Sequence, residues 1–316
     1  MANRPQFSII IPAFQVAPFI AETLASVMAQ GRTDWEAILV NDGSPDTPAL
    51  EAAIEPYRAR IRYLTQDNQG AAQARNAGIA AARGEWLAFL DGDDRWDPDY
   101  LEVQLAQLEG RQLDMVWSDG VYFGDTPRAG RRLMADLQCQ GPVTVLALIR
   151  ARVNVITSAT VVRRSLVERA GGFDPELRRA QDFDLWLRLV QAGARAGYHD
   201  RALIGYRVRE GSLTGDALAQ VDRELVVFAR LRQKLSFTAE EDRAISERVA
   251  GLESAHHLIL GKRALVRRDY AAAREQVSRA RTRQPSLKLA AVQGALSVAP
   301  GLVRALAMSR TPAEHR

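Results

Sequence analysis

The sequence predicts an α/β protein with a doubly wound, mainly parallel sheet, followed by a small all-helical C-terminal region. Three observations lead to this class. Short apolar segments alternate with helical patterns over the first 90 residues, which is typical of strand–helix–strand units. An apolar run from Trp86 to Leu90 ends abruptly in acidic residues, as a buried strand ends at a ligand site. From about Gly215 onward, long helical patterns replace the strand patterns.

The elements of the first 90 residues follow in strict alternation. The predicted strands are Phe7 to Pro12, Glu36 to Val40, Ile61 to Leu64 and Trp86 to Leu90. The predicted helices are Pro18 to Ala29, Thr47 to Arg58 and Gln69 to Arg83. We expect the first strand to stop at Pro12, because proline cannot donate a hydrogen bond to a sheet ladder.

Composition and charge limit the possible functions. Hydrophobic residues make up 47% and charged residues 25% of the chain, as in ordinary folded soluble proteins. The single cysteine, Cys139, excludes an intrachain disulfide and fits a reducing cytosol. Residues 215–316 carry 18 Lys and Arg against 11 Asp and Glu, whereas the rest of the chain carries 24 against 27. The basic tail suggests an anionic neighbour, either a membrane or a nucleic acid.

Three carboxylates crowd the predicted end of the fourth strand. Asp91, Asp93 and Asp94 cannot all ionise comfortably unless positive charge neutralises them. Carboxylate oxygens of this kind suit Mg²⁺ or Mn²⁺, and such ions usually also bind substrate phosphates. The alternative at this point is an acidic turn that caps the next helix through Asp94 or Asp97.

The loop after the first predicted strand excludes two nucleotide-binding classes. Residues 12–17 contain no glycine, so both the dinucleotide fingerprint and a Walker loop are missing from it. A nucleotidyltransferase would also carry a Gly-x-Gly loop at this place, which argues against that class.

Six motifs follow one another in an order and at a spacing that resemble family 2 glycosyltransferases. The motifs are Phe7 to Phe14, Asn41 to Ser44, Gln69-Gly70 with Ala74 to Gly78, Phe89 to Asp94, Gly171 to Asp174 and Gln181 to Arg188. The resemblance covers roughly residues 6 to 212 and implies the GT-A fold in one nucleotide-binding domain, which we place at residues 1–214. The helical patterns that follow place a helical region at residues 215–316. It also implies inverting transfer of a sugar from a nucleoside-diphosphate sugar to an acceptor hydroxyl.

The resemblance also assigns the donor site. The donor nucleotide is expected to contact Pro12, Ala13, Phe14, Asn41, Asp42, Arg75, Asp91 and Gly92. Asn41 and Asp42 stand where the family has two acids, one of which contacts the base, so asparagine replaces the first of them. Asp91 and Asp93 match the Asp-x-Asp motif that holds ribose and metal, which implies Mn²⁺ or Mg²⁺ as cofactor. Asp94 beside them is a secondary candidate.

Asp182 matches the general base of the family's Glu-Asp pair. The preceding acid is replaced by Gln181, which removes a neighbouring negative charge. An acceptor hydroxyl needs such a carboxylate within hydrogen-bond reach as the new bond forms. The alternative for Asp182 is a first-turn acid that offsets a helix dipole. Asp184 is the secondary candidate for the base, and Arg207 and Arg209 are secondary candidates for contacts with the diphosphate.

The C-terminal region combines basic helices with an apolar stretch. Residues 254–286 resemble a tetratricopeptide unit, and a plain helical hairpin is the alternative. Nine basic and two acidic residues lie between Lys262 and Lys288, and the uncharged stretch Leu289 to Val303 follows. The stretch is shorter than the roughly 18 apolar residues of a membrane span. The region either docks peripherally on an anionic membrane, packs as a solvated basic face, or contacts a second copy or a protein partner.

These observations together predict a metal-dependent glycosyltransferase of the hexosyltransferase type in bacterial surface polysaccharide or glycolipid synthesis. We expect a nucleotide-sugar donor, with a UDP-sugar favoured, and a glycan or lipid-linked acceptor. The expected location is the cytoplasm, peripherally at the inner face of the plasma membrane, and a nucleic acid partner is not expected. The alternative is a non-catalytic scaffold that keeps a sugar-nucleotide fold and binds partners through its helical tail.

Overall fold

The computed structural model describes residues 4–137, 139–177, 180–209 and 217–309. The chain forms two compact units, Met1–Ser212 and Leu213–Arg316. The first is an α/β unit built on one sheet, and the described part of the second consists of helices joined by short loops. The predicted fold class is therefore confirmed.

Eight strands form one mixed sheet in the described part of the first unit. They are β1 (Phe7–Ala13), β2 (Trp35–Asp42), β3 (Ile61–Gln66), β4 (Trp86–Phe89), β5 (Arg95–Trp96), β6 (Met115–Gly124), β7 (Thr160–Arg163) and β8 (Ala196–Val208). Their order across the sheet is β3-β2-β1-β4-β7-β6-β8-β5. The first four strands are mutually parallel, β7 is antiparallel to β4 and β6, and β5 is antiparallel to β8.

This arrangement directs six strands toward one edge of the sheet. Because β7 reverses the direction once on each side, β6 and β8 run the same way as β4. The carboxyl ends of β1, β2, β3, β4, β6 and β8 therefore meet at the same edge, where ligands bind in open α/β sheets. The second half of the sheet is mixed, whereas the first half is parallel as predicted.

Helices cover the sheet. In the first unit they are α1 (Ile20–Met28), α2 (Thr47–Ile54), α3 (Ala71–Ala81), α4 (Tyr100–Gly110), α5 (Leu133–Leu137), α6 (Val145–Ile149), α7 (Arg164–Arg169) and α8 (Gln181–Gln191). Two 3₁₀ helices, Glu55–Arg60 and Thr157–Ala159, complete the set described. The three predicted helices are present, and the second continues as a 3₁₀ helix. The central strands β1 and β4 are almost wholly buried, which explains their continuous apolar sequences.

The expectation that β1 stops at Pro12 is wrong, since the strand continues to Ala13. The Ile10 carbonyl accepts a hydrogen bond from the Leu90 N–H (3.1 Å). Residues two apart on a strand direct their backbone groups to the same side, so Pro12 faces the same side as Ile10. The strand β4 on that side has already ended at Phe89. Because β4 does not extend beside Pro12, no carbonyl of β4 loses a hydrogen-bond donor through the missing N–H of Pro12.

The second unit contains five described helices. They are α9 (Ala217–Lys234), α10 (Ala239–Val266), α11 (Tyr270–Arg283), α12 (Leu287–Val298) and α13 (Pro300–Ser309). Leu265, Ala273, Val277 and Leu296 form one buried cluster in it. The segment 254–286 begins inside α10, and its identity as a tetratricopeptide unit stays a prediction. Among the helices described, none combines the length and the apolar character that crossing a membrane requires.

Candidate active site

The acidic turn, residues 91–94, lies at the edge of the sheet where β4 ends. The Asp94 N–H closes the turn onto the Asp91 carbonyl (3.0 Å). The Thr23 hydroxyl of α1 bonds the carbonyls of Gly92 (3.1 Å) and Asp94 (2.7 Å). A Cβ at Gly92 would lie 3.1 Å from the Pro12 carbonyl oxygen, so the close approach of the turn to the end of β1 favours glycine. The backbone of the turn is thus held in place independently of its carboxylates.

Two arginines bring positive charge to the acidic turn. The buried Arg75 of α3 places Nη2 2.5 Å from Asp91 Oδ1. Arg209, just after β8, places Nε 3.0 Å from Asp93 Oδ2. Burial, followed by the charge of Asp91, raises the pKa of Asp93, and Arg209 opposes this rise. The positive charge that the crowded acids require is supplied here by arginine.

Asp94 is buried and joins the acidic turn to β8. Its carboxylate accepts a hydrogen bond from the Arg207 N–H (2.7 Å) and another from the Ser158 hydroxyl. Burial, followed by the charges of Asp93 and Asp91, raises the pKa of Asp94 well above its usual value. These partners make Asp94 part of the framework, so Asp91 and Asp93 are the better placed of the three to meet a ligand.

Asn41, at the end of β2, is buried and organises the loop that follows it. Its amide nitrogen donates to the hydroxyls of Thr47 (2.8 Å) and Tyr63 (2.9 Å). Its amide oxygen accepts from the Ser44 N–H (2.9 Å). The side chain therefore shapes the loop beside the predicted nucleobase pocket, and contact with a base stays a prediction.

Asp42 links β2 to the start of α3. Its carboxylate accepts hydrogen bonds from Gln66 Nε2 (2.7 Å) and from the N–H groups of Gln69 (2.9 Å) and Gly70 (2.8 Å). Because α3 carries Arg75, this contact also helps to place the cation that meets Asp91.

The loop after β1 lies beside the loop after β2. Pro12 and Ala13 are still part of β1, and Phe14 beyond them is 40% exposed. The Gln15 N–H donates to the Ser44 hydroxyl (2.7 Å), which ties the two loops together. An exposed aromatic ring at this edge of the sheet can stack on a planar base.

Asp182 reaches the same edge through two adjacent residues of a 3₁₀ helix. The Thr157 hydroxyl donates to Asp182 Oδ2 (2.9 Å). The next residue, Ser158, accepts from the Asp91 N–H (3.2 Å) and donates to the Asp94 carboxylate. Consecutive Cα atoms are about 3.8 Å apart, so the predicted base and the acidic turn contact neighbouring points of one short segment.

Asp184 faces away from this edge. It is fully buried in α8 and its Oδ2 accepts from Nε (2.9 Å) and Nη2 (2.6 Å) of Arg188. Arg188 also donates to the carbonyls of Ala170 (2.7 Å) and Gly172 (2.8 Å). Asp184 thereby fastens α8 to the loop after α7, which leaves Asp182 as the better candidate for a base.

Arg207 and Arg209 lie at the end of β8 beside the acidic turn. Arg207 donates through Nε to the Asp93 carbonyl (2.8 Å), forms an ion pair with Glu22, and lies over the ring of Phe19 (4.7 Å). Arg209 donates to the Gln15 carbonyl (2.8 Å) in addition to its ion pair with Asp93. Of these two arginines, Arg209 can more readily leave its carboxylate partner, Asp93, and bind a phosphate instead.

Sequence analysis did not find Thr157, Ser158, Thr23 and Glu22. Each contacts a predicted site residue through a hydrogen bond or ion pair, and no local pattern marks the partner. The only available signal was that the acids required counter-charges and donors from elsewhere in the fold.

The donor set of the acidic turn fits a divalent cation that also binds phosphate. Among the residues described, no three His, Cys, Asp or Glu side chains come together as a metal centre. Asp91 and Asp93 are both partly exposed carboxylates at one strand end. Mg²⁺ in proteins is commonly held by one or two carboxylates, with substrate phosphates and water completing the shell.

Comparison with known proteins identifies relatives of the first unit. The profile of the family described as Glycosyl transferase family 2 matches residues 8–171. The glycosyltransferase EpsJ of Bacillus subtilis is 36% identical over 218 residues, which are 66% of this chain and 63% of EpsJ. The succinoglycan biosynthesis protein ExoO of Rhizobium meliloti is 33% identical over 219 residues, with the same shares of the two chains. The match therefore spans less than two thirds of each relative.

Two solved structures share the fold. TarS 1–349 of S. aureus in complex with UDP-GlcNAc is 17% identical, with a TM-score of 0.63 over 96% of this chain and 91% of its own. The mannosyltransferase PcManGT of Pyrobaculum calidifontis, in complex with GDP-Man and Mn²⁺, is 19% identical. Its TM-score is 0.63 over 100% of this chain and 89% of its own.

Proposed function

Since the chain belongs to glycosyl transferase family 2, we propose that it transfers a hexosyl group from a nucleoside-diphosphate sugar to an acceptor hydroxyl with inversion. The observation that carries this proposal is the convergence of the acidic turn and Asp182 on the segment Thr157–Ser158. Transfer needs positive charge at the leaving diphosphate and a carboxylate at the acceptor. Arg75 and Arg209 on one side and Asp182 on the other provide these two functions.

The donor nucleotide would lie in the crevice between the loops after β1 and β2. Phe14 provides an exposed ring for the base, and Asn41 and Asp42 hold the loops around it. We favour a UDP-sugar, with support from TarS, whose structure contains UDP-GlcNAc. GDP is the competing choice, because PcManGT binds GDP-Man.

Asp91 and Asp93 would hold the Mn²⁺ or Mg²⁺ that accompanies the donor. The ion, when bound, supplies positive charge that stabilises the leaving diphosphate. Arg209 now pairs with Asp93, and it would turn toward the phosphates as the cation takes its place. Arg75 remains on Asp91 from within the fold, so that carboxylate keeps its orientation.

Asp182 would accept the proton of the acceptor hydroxyl. The Thr157 hydroxyl donates a hydrogen bond to Oδ2 (2.9 Å) and the Phe183 N–H donates one to Oδ1 (2.9 Å). These two hydrogen bonds orient the carboxylate. Gln181 beside it is buried and neutral, so this neighbour adds no second carboxylate. Inversion follows when the base faces the side of the sugar opposite the diphosphate.

The acceptor class follows from the relatives. ExoO is named for succinoglycan biosynthesis, and TuaG of Bacillus subtilis, 28% identical, for teichuronic acid biosynthesis. We propose a glycan or lipid-linked acceptor of a bacterial surface polysaccharide or glycolipid, and action in the cytoplasm at the inner face of the plasma membrane. The single, partly buried Cys139 fits that reducing compartment.

A donor screen tests this function. The protein would be mixed with UDP-, GDP- and dTDP-sugars and Mn²⁺, and melting temperature and release of nucleoside diphosphate would be measured. We expect one nucleotide class to stabilise the protein and to be hydrolysed slowly without acceptor. NMR of the product would give the anomeric configuration. Stabilisation without any release, in wild type as in Asp182→Asn, would instead favour the non-catalytic scaffold.

A further inference from the structure

The outward side of the last two described helices carries almost no polar groups. Its exposed residues, which we call the apolar face, are Leu287, Ala291, Gly294, Ala295, Val298, Gly301, Leu302, Ala305 and Leu306. Among its large side chains, Leu287 is 92%, Val298 88% and Leu302 62% exposed. The other exposed residues in the described side chains of α12 and α13 are Lys288 and Ser297.

The apolar face is distinct from the side that packs inside the second unit. Leu296 is buried, and Val292, Val303 and Ala307 pack against the same cluster. Both sides of α12 and α13 are therefore apolar. A surface helix of a soluble protein normally turns charged or polar residues outward, so the second apolar side requires a separate explanation.

Charge along the segment that carries the apolar face has one sign. From 276 to 309 the chain contains five Lys and Arg and no Asp or Glu. Lys288 is exposed in the first turn of α12, and Arg281 reaches α12 through Gln293 Oε1 (3.1 Å). Arg281 and Lys288, which we call the basic rim, thus border the apolar face without neutralising acids in the same segment.

We propose that the apolar face docks on an anionic lipid bilayer, with α12 and α13 lying in the interface and the basic rim on the lipid headgroups. An apolar helix side flanked by lysine and arginine is the surface that binds in this way. At 12 residues α12 is about 18 Å long, shorter than a hydrocarbon core of about 30 Å, so it would lie in the surface plane.

Charge complementarity favours lipid over a second copy of the chain. In a twofold dimer the same patch meets itself, so each basic rim would face a patch that contains no Asp or Glu to neutralise it. Anionic headgroups instead neutralise the rim and leave the apolar face in the acyl boundary. Docking does not depend on transferase activity, so the two can be tested separately.

Co-sedimentation of the full chain with vesicles tests the docking. We expect binding to phosphatidylcholine–phosphatidylglycerol vesicles, weak binding to pure phosphatidylcholine, and loss of binding at high salt. The double variant Val298→Glu with Leu302→Glu should lower the partition coefficient at least roughly tenfold, because two apolar groups no longer insert. Lys288→Gln should lower it roughly fivefold.

Matched controls lie on other helices of the second unit. Val226→Glu changes a valine that is 52% exposed on α9, and Arg243→Gln changes an exposed arginine on α10; neither should alter binding. The proposal is overturned if the wild type does not sediment with anionic vesicles, or if the controls lose as much binding as the test variants. Sedimentation velocity without lipid tests whether a second copy of the chain binds the apolar face instead. A dimer that the double variant dissociates, with no vesicle binding, would assign the face to a second copy.

Discussion

At the scale of single residues, the acids of the candidate site differ in what surrounds them. Asp94 and Asp184 are buried and paired with groups of the framework. Asp91, Asp93 and Asp182 are partly exposed. A carboxylate that takes part in transfer must be reachable by substrate, so these three are the candidates for contact with substrate.

The exchange of Asp182 for asparagine separates chemistry from folding. Asp182→Asn keeps the size of the side chain but cannot take up the acceptor proton. We expect kcat to fall about 10²–10⁴-fold while donor affinity and melting temperature stay unchanged. Steady-state kinetics and calorimetry with the nucleoside diphosphate measure the two quantities.

Asp184→Asn is the matched variant and should behave in the opposite way. It leaves the Arg188 guanidinium without its buried counter-charge, so the free energy of unfolding should fall by about 3 kcal/mol. The kcat of the folded fraction should remain close to wild type. Near-full activity of Asp182→Asn together with inactive, folded Asp184→Asn would move the base by two residues.

Thr157 is a second test at the residue scale. Its hydroxyl donates to Asp182 Oδ2 and so helps to hold that carboxylate in one orientation. Thr157→Val should lower kcat about tenfold at unchanged donor affinity, whereas Thr157→Ser, which keeps the hydroxyl, should restore kcat. A lower melting temperature with an unchanged kcat of the folded protein would mean that Thr157 acts on the fold alone.

At the scale of elements, β8 is fastened to the sheet edge and to α4 by polar contacts. One end bonds Asp94 through Arg207, and further back His199 lies 3.0 Å from Gln104 Oε1. Burial, followed by the charge of Arg201, lowers the pKa of His199 from its ordinary 6.5 to about 4. His199 therefore stays neutral in the fold over a pH range in which the unfolded chain takes up a proton.

This depressed pKa makes the stability of the first unit depend on pH. The stabilisation is complete above pH 6.5 and is lost as pH falls from 6.5 toward 4, because protons bind the unfolded state first. Thermal melts across this range should show that fall in wild type. His199→Gln can still donate to Gln104 and has no titrating ring, so its melting temperature should fall less steeply. Parallel curves for the two proteins would contradict the role of His199.

At the scale of the whole molecule, ligand binding should appear as stability. A nucleoside diphosphate at 100 times its Kd adds about 2.7 kcal/mol to the free energy of unfolding. We expect most of this gain to require Mn²⁺ or Mg²⁺ and to vanish with EDTA, because Asp91 and Asp93 alone would repel the phosphates. Differential scanning calorimetry with and without EDTA measures it.

Asp93→Asn provides the comparison for the cation. It removes one proposed ligand and frees Arg209, so the variant should bind the diphosphate with little dependence on metal. Equal diphosphate affinity of the wild type with and without divalent ions would exclude a metal role for the acidic turn.

The sequence by itself determined the family, the fold class and the positions of the first four strands along the chain. These features rest on patterns over a few neighbouring residues, such as the apolar run that ends at Asp91 or the alternation of strands and helices. Parallel strands then bring their carboxyl ends to one edge whatever the loops do, so the place of the acidic turn could also be predicted.

Only the tertiary structure decided which of the candidate residues are already paired with other groups of the protein. The Arg207–Asp94 contact joins residues 113 apart, and Asp42 binds Gly70 across 28 residues. Such partners depend on sheet order and on loop paths that no local period encodes. The same holds for the apolar face of α12 and α13, because a 3.6-residue period marks an apolar side but not whether neighbouring helices cover it.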